Sequence, residues 1–442
     1  MRLEEVLVQR LAGGPATAAE LARALDVSQP TLSRALARLA ARVVHLGRAR
    51  ATRYALRRAV RELPPDVPLF RVDAAGAIAR IGTMAPIEPG GWWHQEAGGA
   101  GAVYAGLPWF MTDMRAQGFL GRRFAAAAQL RGLPQRLADW SETQHFYALA
   151  VLGEDVVGNL LLGEESHERW QRRRRDAAEP LPPRRRRAAF AAEAQRMLAH
   201  GAPGSSAGGE QQKFTATVAD ARGEVRHVIV KFSPPLADAD GRRWGDLLLL
   251  EHLALRTLAA LGVAAAHSEV VEDRTRLYLE VRRFDRVGPQ GRRGLVSLGA
   301  LDDEFVGQRR SWSATAEALH GLGWIGAEDA RRAAWLEGFG RLIANTDMHF
   351  GNLSLIHEGQ RPLALAPAYD MLPMAYAPGV ELPPLRAMEP PVLTPVALEQ
   401  ADSLVPAALE FWRAAAAEPR LSAPMRKLAG ANAAVVARAF AR

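Results

Sequence analysis

The chain has 442 residues, 48% hydrophobic and 24% charged, which suits a folded protein but exceeds one compact core. It has no cysteine, which excludes disulfide frameworks and thiolate chemistry, and its formal net charge is +8. The opening MRLEEVLVQRLAGG has no apolar run of signal-peptide length, and LLLL at 247–250 is far short of a membrane span, so a cytoplasmic protein without a membrane segment is expected.

The first helix is predicted over 4–13, with Val6, Leu7 and Leu11 inward. Two more follow at Ala16–Leu25 and Ser28–Ala40, joined by Asp26-Val27. Thr17 and Glu20 form a capping box for the first of these, and Ser28 caps the second, with Pro30 tolerated in its first turn. Leu21, Leu25, Val27, Leu32, Leu36 and Leu39 make a shared apolar face. The stretch 43–56 reads as two short strands around a basic turn. Three helices and a β-wing outline a winged helix-turn-helix over 1–60.

The charge supports that outline. Residues 1–60 hold eleven arginines against four acids, nearly the whole excess of the chain. Such a bias predicts a polyanion partner, DNA in preference to a protein contact. Gln29, Thr31, Ser33 and Arg34 are placed to reach base edges, and Arg38, Arg42, Arg48, Arg50 and Arg53 to meet phosphates.

Residues 65–168 read as a small β-rich region, with strands in PLFRVDAAGAIARIG and VVGNLLLG. Two runs of four arginines flank a Pro-rich piece at 169–189, read as a basic linker or an exposed helix end, with a solvated linker favoured over a nucleic-acid contact. From 190 the order changes: a helix, a Gly/Ser-rich loop, a strand HVIVKF, a long apolar helix through LLLLEHLALRTLAALGV, a strand TRLYLEVRRFDR, then helices at 313–345 and in the Ala-rich tail 395–442.

Phosphoryl transfer from ATP is mostly positioning and charge stabilisation. It needs a glycine-rich loop over the phosphates, a Lys on a strand, an Asp to take the acceptor's proton, and oxygen ligands for Mg²⁺. The chain supplies these in order. GSSAGGEQQKF at 204–214 is the loop, Lys231 lies on a strand, Asp347 and Asn352 stand five apart in NTDMHFGN, and Asp370 follows after a gap that suits a short hairpin. Each alone is weak: such loops are often plain linkers, Asp347 and Asn352 can cap a turn, and Asp370 can be a turn residue beside Pro373. Their joint order raises the expectation. So does lysine usage, because only Lys213, Lys231 and Lys427 among 56 basic residues are lysines, and two fall in this region.

SSAGGEQQKF, VIVKF, LEVRRFDR, NTDMHFGNLSL and PAYDML together resemble the HipA family of serine/threonine kinases. The resemblance spans about 65 to 430, and with the fused N-terminal module the chain is similar to the YjjJ branch of that family. It implies an α+β fold: a winged helix-turn-helix, a small β-rich N-terminal subdomain at 65–168, and a protein-kinase-like domain at 190–442 with a largely helical C-lobe. It implies ATP and Mg²⁺ as cofactors, and a toxin acting on a protein substrate, such as an aminoacyl-tRNA synthetase or another translation factor. Lys231 would meet ATP phosphates, Asp347 would be the base, and Asn352 and Asp370 would bind metal. Ser206, Gly208, Gly209, Gln211, Lys213, Arg282, Phe284 and His349 would line the ATP site, His349 chiefly holding the loop. Ser206 matches the family's autophosphorylated serine, with Ser205 adjacent. A homodimer is an expected state, and a separate antitoxin is left open.

The chain departs from the family at Glu210, a negative charge near the phosphates, and at Met348 after the catalytic Asp. Glu251 and Asp246 both have the spacing for the acid that positions the Lys. An inactive kinase-like domain that senses nucleotide for a transcription regulator is the alternative reading, and a small-molecule phosphotransferase is a third.

Overall fold

The computed structural model describes residues 2–47, 52–199, 211–379 and 382–441, and these divide into two compact units. Residues 1–116 and 124–177 form one unit, and residues 117–123 and 178–442 form the other.

The first unit begins with helices Leu3–Ala12, Ala18–Leu25 and Gln29–Arg38. Leu7, Leu11, Leu21, Leu32 and Leu36 close their shared core, and the less buried Leu25 and Val27 pack against it. The caps form as the sequence predicts. Thr17 accepts from the Glu20 N–H at 3.2 Å while its own N–H donates to Glu20 Oε2 at 2.7 Å, and Ser28 Oγ accepts from the Thr31 N–H. Such caps are each worth about 1 kcal/mol. Strands Val43–Leu46 and Arg53–Leu56 form the wing, and Ala16–Thr17 adds a third strand on Arg53–Leu56.

The reading of the sequence separates 1–60 from 65–168, whereas the packing joins them. Val44, Leu46 and Ala55 of the wing share a buried cluster with Ala85, Ile87 and Trp93. The backbone continues the contact, with the Arg58 N–H donating to Pro86 and the Glu88 N–H to Leu56. The middle sheet is antiparallel and five-stranded, in the order Gly101–Tyr104, Gly91–Glu96, Ile78–Ile87, Val67–Val72, Leu160–Leu162. Trp92 stacks on Phe146 of helix Glu142–Leu152 at 4.2 Å to close its core.

The proposed linker at 169–189 is mostly helical. Helix Glu164–Arg175 carries the first arginine run in its last turn, and helix Pro183–Ala199 begins with the second, leaving only 176–182 as connection. The first run is thus the helix end that the sequence left as the alternative, and four cations at a helix C-terminus complement the dipole there.

The second unit has a four-stranded antiparallel sheet in the order Ser268–Glu272, Leu277–Arg282, Val225–Phe232, Lys213–Ala219. Phe190 and Ala194 of helix Pro183–Ala199 pack with Phe214, Val230, Phe232 and Tyr278 of the sheet. Helix Ala239–Ala260 also packs against the sheet. Beyond them lie helices Trp312–Gly321, Ala327–Leu342, Ala401–Ala417 and Ala423–Ala439. A small sheet of Leu295–Ser297, Ser354–Ile356 and Ala364–Leu365 completes this half. The mixed α and β architecture with an N-terminal helix-turn-helix is the fold class the sequence predicts. Among the described residues no helix is long and apolar enough to cross a membrane.

Candidate active site

Lys231 lies near the end of strand Val225–Phe232, opposite Leu279 on one side and Lys213 on the other. Its side chain is 7% exposed, and Nζ donates to both carboxylate oxygens of Glu251 at 2.7 Å and to Asp370 Oδ1. Burial works against the Lys231 charge, but Asp370 and Glu251 outweigh it and hold the ammonium above its ordinary range. Burial likewise pushes Glu251 up, against the pull of Lys231. Asp370 is held below its ordinary range because the Lys231 charge overcomes its burial, with Lys213 and His349 adding to the effect. A cation clamped by two carboxylates keeps its charge and its place.

The structure decides between the two acids that spacing leaves open. Glu251, on helix Ala239–Ala260, holds Lys231. Asp246 faces elsewhere and accepts from the Ser422 N–H at 2.8 Å and Oγ at 2.6 Å, tying down helix Ala423–Ala439.

The segment after helix Ala327–Leu342 holds the second group. Ala344 adopts a left-handed φ of 59°, which turns the chain sharply. Asn345 is buried, and its Oδ1 accepts from the Asp347 N–H at 3.0 Å, leaving the Asp347 residue exposed. Asn352 is also buried and donates from Nδ2 to the Asp347 carbonyl at 2.9 Å. His349 is exposed: its Nδ1 accepts from the Gly351 N–H, and its carbonyl accepts from Trp312 Nε1. Those bonds tie it to the backbone of its own loop and to Trp312. Leu353 and Leu355 are buried and anchor the exit of the loop.

The gap between Asp347 and Asp370 contains the expected hairpin, with Leu355 paired to Leu365 and Ile356 to Ala364. Asp370 also has a left-handed φ, 54°. Asn345 joins the two segments, because its Nδ2 reaches the Asp370 carbonyl at 3.4 Å. Tyr369 adds a brace, its hydroxyl bonding the Gly351 carbonyl and meeting Ser354 Oγ at 2.6 Å. Sequence reasoning missed Asn345 and Tyr369. The Asn-x-Asp spacing, which favours a turn closed by the Asn side chain, was the available signal for the first. Met348 also finds a local reason: a Cβ on Gly340 would lie 2.2 Å from its Sδ, so the glycine makes room for it.

The donor set suits Mg²⁺. Asn352 and Asp370 offer hard oxygens, and Mg²⁺ takes one or two protein oxygens while phosphates and water supply the rest. Among the described residues no three His, Asp or Glu side chains are grouped to hold a metal ion by themselves.

The remaining expected ATP residues are placed unevenly. Ser205, Ser206, Gly208, Gly209 and Glu210 lie outside the described residues. Gln211 donates to the Phe232 carbonyl at 2.7 Å, while its Oε1 and that of Gln212 are buried without a partner. The Arg282 N–H is taken by the His267 carbonyl at 2.8 Å, so it is not free for a base. Phe284 sits 5.5 Å from the Tyr369 ring.

In the first unit, Gln29, Ser33 and Arg34 are exposed on helix Gln29–Arg38. Thr31 is half-buried and meets Ser28 Oγ at 3.0 Å. Arg38 pairs with Glu4 at 2.8 Å, which leaves less of its charge for phosphate. Arg42 is exposed and Arg53 donates to the Pro15 carbonyl, while Arg48 and Arg50 lie outside the described residues.

Residues 205–436 match the model of the HipA-like C-terminal domain, 63–171 that of the YjjJ-like toxin, middle domain, and 7–41 that of the bacterial regulatory protein, arsR family. Toxin YjjJ of Escherichia coli (strain K12) is 38% identical over 371 residues, which cover 83% of this chain and 82% of that protein. The chain also resembles a chain of the solved Shewanella oneidensis MR-1 toxin–antitoxin complex of HipA, HipB and operator DNA. That likeness is one of fold: TM-score 0.50 at 13% identity, over 84% of this chain and 97% of that one. The fold and the family models thus define a HipA-like protein with a fused helix-turn-helix. The chain belongs to the HipA/YjjJ family.

Proposed function

We propose that the chain is an ATP- and Mg²⁺-dependent serine/threonine protein kinase of HipA toxin type, acting in the cytoplasm, with a DNA-binding N-terminal module. The observation that carries this reading is the linkage of Lys231, Glu251 and Asp370 on one side with Asp347, Asn345 and Asn352 on the other. ATP phosphates take the place of Asp370 on Lys231, which frees that carboxylate for metal. Asp347 accepts the proton of the acceptor hydroxyl, whose oxygen bonds the γ-phosphorus as the bond to ADP breaks. Asn352 and Asp370 would hold Mg²⁺, which when bound would supply countercharge for the transferring phosphate. The acceptor is a serine or threonine of a translation-related protein, such as an aminoacyl-tRNA synthetase, and Ser206 in cis. A phosphate on Ser206 places roughly −1.5 to −2 charge in the loop and shuts the site.

Labelled ATP tests this reading. Wild-type protein acquires label on Ser206, and Asp347→Ala lowers the rate by about 10³-fold or more. Equal labelling in the variant would remove Asp347 from its role. ATP binding with no transfer to any protein supports the alternative, a nucleotide-sensing transcription regulator.

The N-terminal module binds operator DNA, as a homodimer and with autoregulation in view, with no need for a separate antitoxin to supply the DNA-binding fold. Its affinity for its own promoter falls steeply with salt in a mobility-shift titration. Arg34→Ala weakens that binding by about 1–3 kcal/mol. Salt-independent or absent binding removes the DNA role.

A further inference from the structure

A pocket on the flank of the Asp347 loop is not used by the phosphate-transfer chemistry. It encloses about 110 Å³. Its walls are Met348 and Phe350 from the loop, Arg310 and Trp312 from the segment entering helix Trp312–Gly321, and Glu337 and Arg341 from helix Ala327–Leu342. The space suits one short side chain and not a nucleotide.

Its position ties it to the acceptor. Met348 follows Asp347 directly, and consecutive Cα atoms lie about 3.8 Å apart. Trp312 links the far wall to the loop through the bond from its Nε1 to the His349 carbonyl at 3.3 Å. A side chain in this pocket therefore belongs to a residue close in sequence to the hydroxyl at Asp347.

Its charge selects what enters. Glu337 is buried and fully engaged: Oε1 accepts from Arg341 at 2.9 Å and Oε2 from the Ser313 N–H at 2.9 Å. Arg341 also has an enclosed Nε without a hydrogen-bond partner. Of the acids near Arg310 in sequence, Asp302 and Asp303 are engaged elsewhere, and neither Glu304 nor Glu317 pairs with it. Asp303 pairs with Arg309, while Asp302 accepts from Thr315 and from the backbone of Gln308 and Arg309. Arg310 itself is exposed, and no hydrogen bond or ion pair engages it among the described residues. Two cations face one satisfied carboxylate, so the pocket is cationic, with Trp312, Met348 and Phe350 supplying apolar surface for a short stem.

We infer that this pocket receives an acidic side chain of the protein substrate, flanking the serine or threonine that is phosphorylated, with Arg310 as its main cation. The inference rests on the kinase reading above and adds its substrate class: acceptors with an Asp or Glu close by.

Serine-centred peptides carrying a single Glu, Ala or Lys at each flanking position in turn test it with the full-length protein. With wild type, Glu at one position near the serine raises kcat/KM about ten-fold over Ala. Arg310→Glu abolishes that preference and turns it towards Lys. Arg341→Lys, which keeps a cation for Glu337, weakens it. Arg413→Glu, the same charge change at an exposed residue of helix Ala401–Ala417, leaves it intact. A flat preference in wild type, or one that survives Arg310→Glu, overturns the pocket while leaving the kinase reading standing.

Binding of the same peptides, fluorescently labelled, to Asp347→Ala separates the two ideas. If wild type labels neither Ser206 nor any protein or peptide, yet the Glu peptide binds about ten-fold tighter than the Ala peptide and loses this in Arg310→Glu, the pocket stands as an acidic-peptide site and the kinase reading falls. Equal binding of Glu and Ala peptides overturns the pocket.

Discussion

Lys231→Met abolishes phosphoryl transfer and lowers the folding free energy by about 3–5 kcal/mol, because Glu251 and Asp370 lose the cation between them. The pH dependence identifies the cause. In wild type Lys231 is held above its unfolded value of 10.5, so its contribution is fully present below that pH and is lost as pH rises beyond it. Asp370 is held below its unfolded value of 3.8, so its contribution is present above that pH and is lost as pH falls further. Glu251 is already pushed above its unfolded value of 4.5, so its charged form weakens the fold at higher pH.

Without Lys231, Glu251 rises further. The loss is therefore largest near neutral pH and shrinks as pH falls through 4.5, below which the carboxyl is protonated in both the folded and the unfolded state. Urea melts of wild type and variant at about pH 5 and about pH 7.5 measure this, and a loss independent of pH would refute it. Lys231→Met combined with Glu251→Leu recovers much of the stability and none of the transfer, since a neutral pair replaces an orphaned charge. Lys231→Arg rescues neither, because the planar guanidinium does not fit the space of a compact ammonium.

The pattern of what the sequence revealed follows the range of the interactions. The helix-turn-helix was legible because its signals are local: Thr17 with Glu20 and Ser28 with Thr31 act within one turn. The contact of the wing with the middle sheet was not, because Val44 and Trp93 meet only through tertiary packing. In the site, Lys231 and Asp370 were legible by type and order, and the structure brings them into direct contact. Glu251 and Asp246 were inseparable by spacing. Five residues on a helix turn the side chain by about 140°, so the two acids face different ways, and only the docking of the helix decides which one meets the strand. Asn345 escaped because half of its role is a bond to the carbonyl of a residue 25 positions away.

That last residue carries the second large effect. Asn345→Ala lowers kcat for phosphoryl transfer by about 100-fold, with the KM for ATP changed by no more than about three-fold. Asn345 touches neither the base carboxylate nor Lys231. It is a positioning residue: Oδ1 holds the turn that presents Asp347, and Nδ2 holds the backbone of Asp370. Both segments include a left-handed non-glycine residue, Ala344 and Asp370, and such geometry persists only when neighbours enforce it. Removing the amide frees the two loops to relax separately and leaves the Asp347 N–H without its acceptor, at about 1–3 kcal/mol of stability if that group stays enclosed.

A purely structural role would lower the melting point and the amount of active protein but leave kcat per folded molecule unchanged. The measurement is therefore single-turnover transfer normalised to active sites, beside a denaturant melt. Asn345→Ser, which keeps a short acceptor for the Asp347 N–H but cannot span to the Asp370 carbonyl, falls between wild type and Asn345→Ala in rate. A kcat for Asn345→Ala within about two-fold of wild type would mean that the two loops hold their geometry without the joint, and that the base and the metal-facing carboxylate are positioned independently.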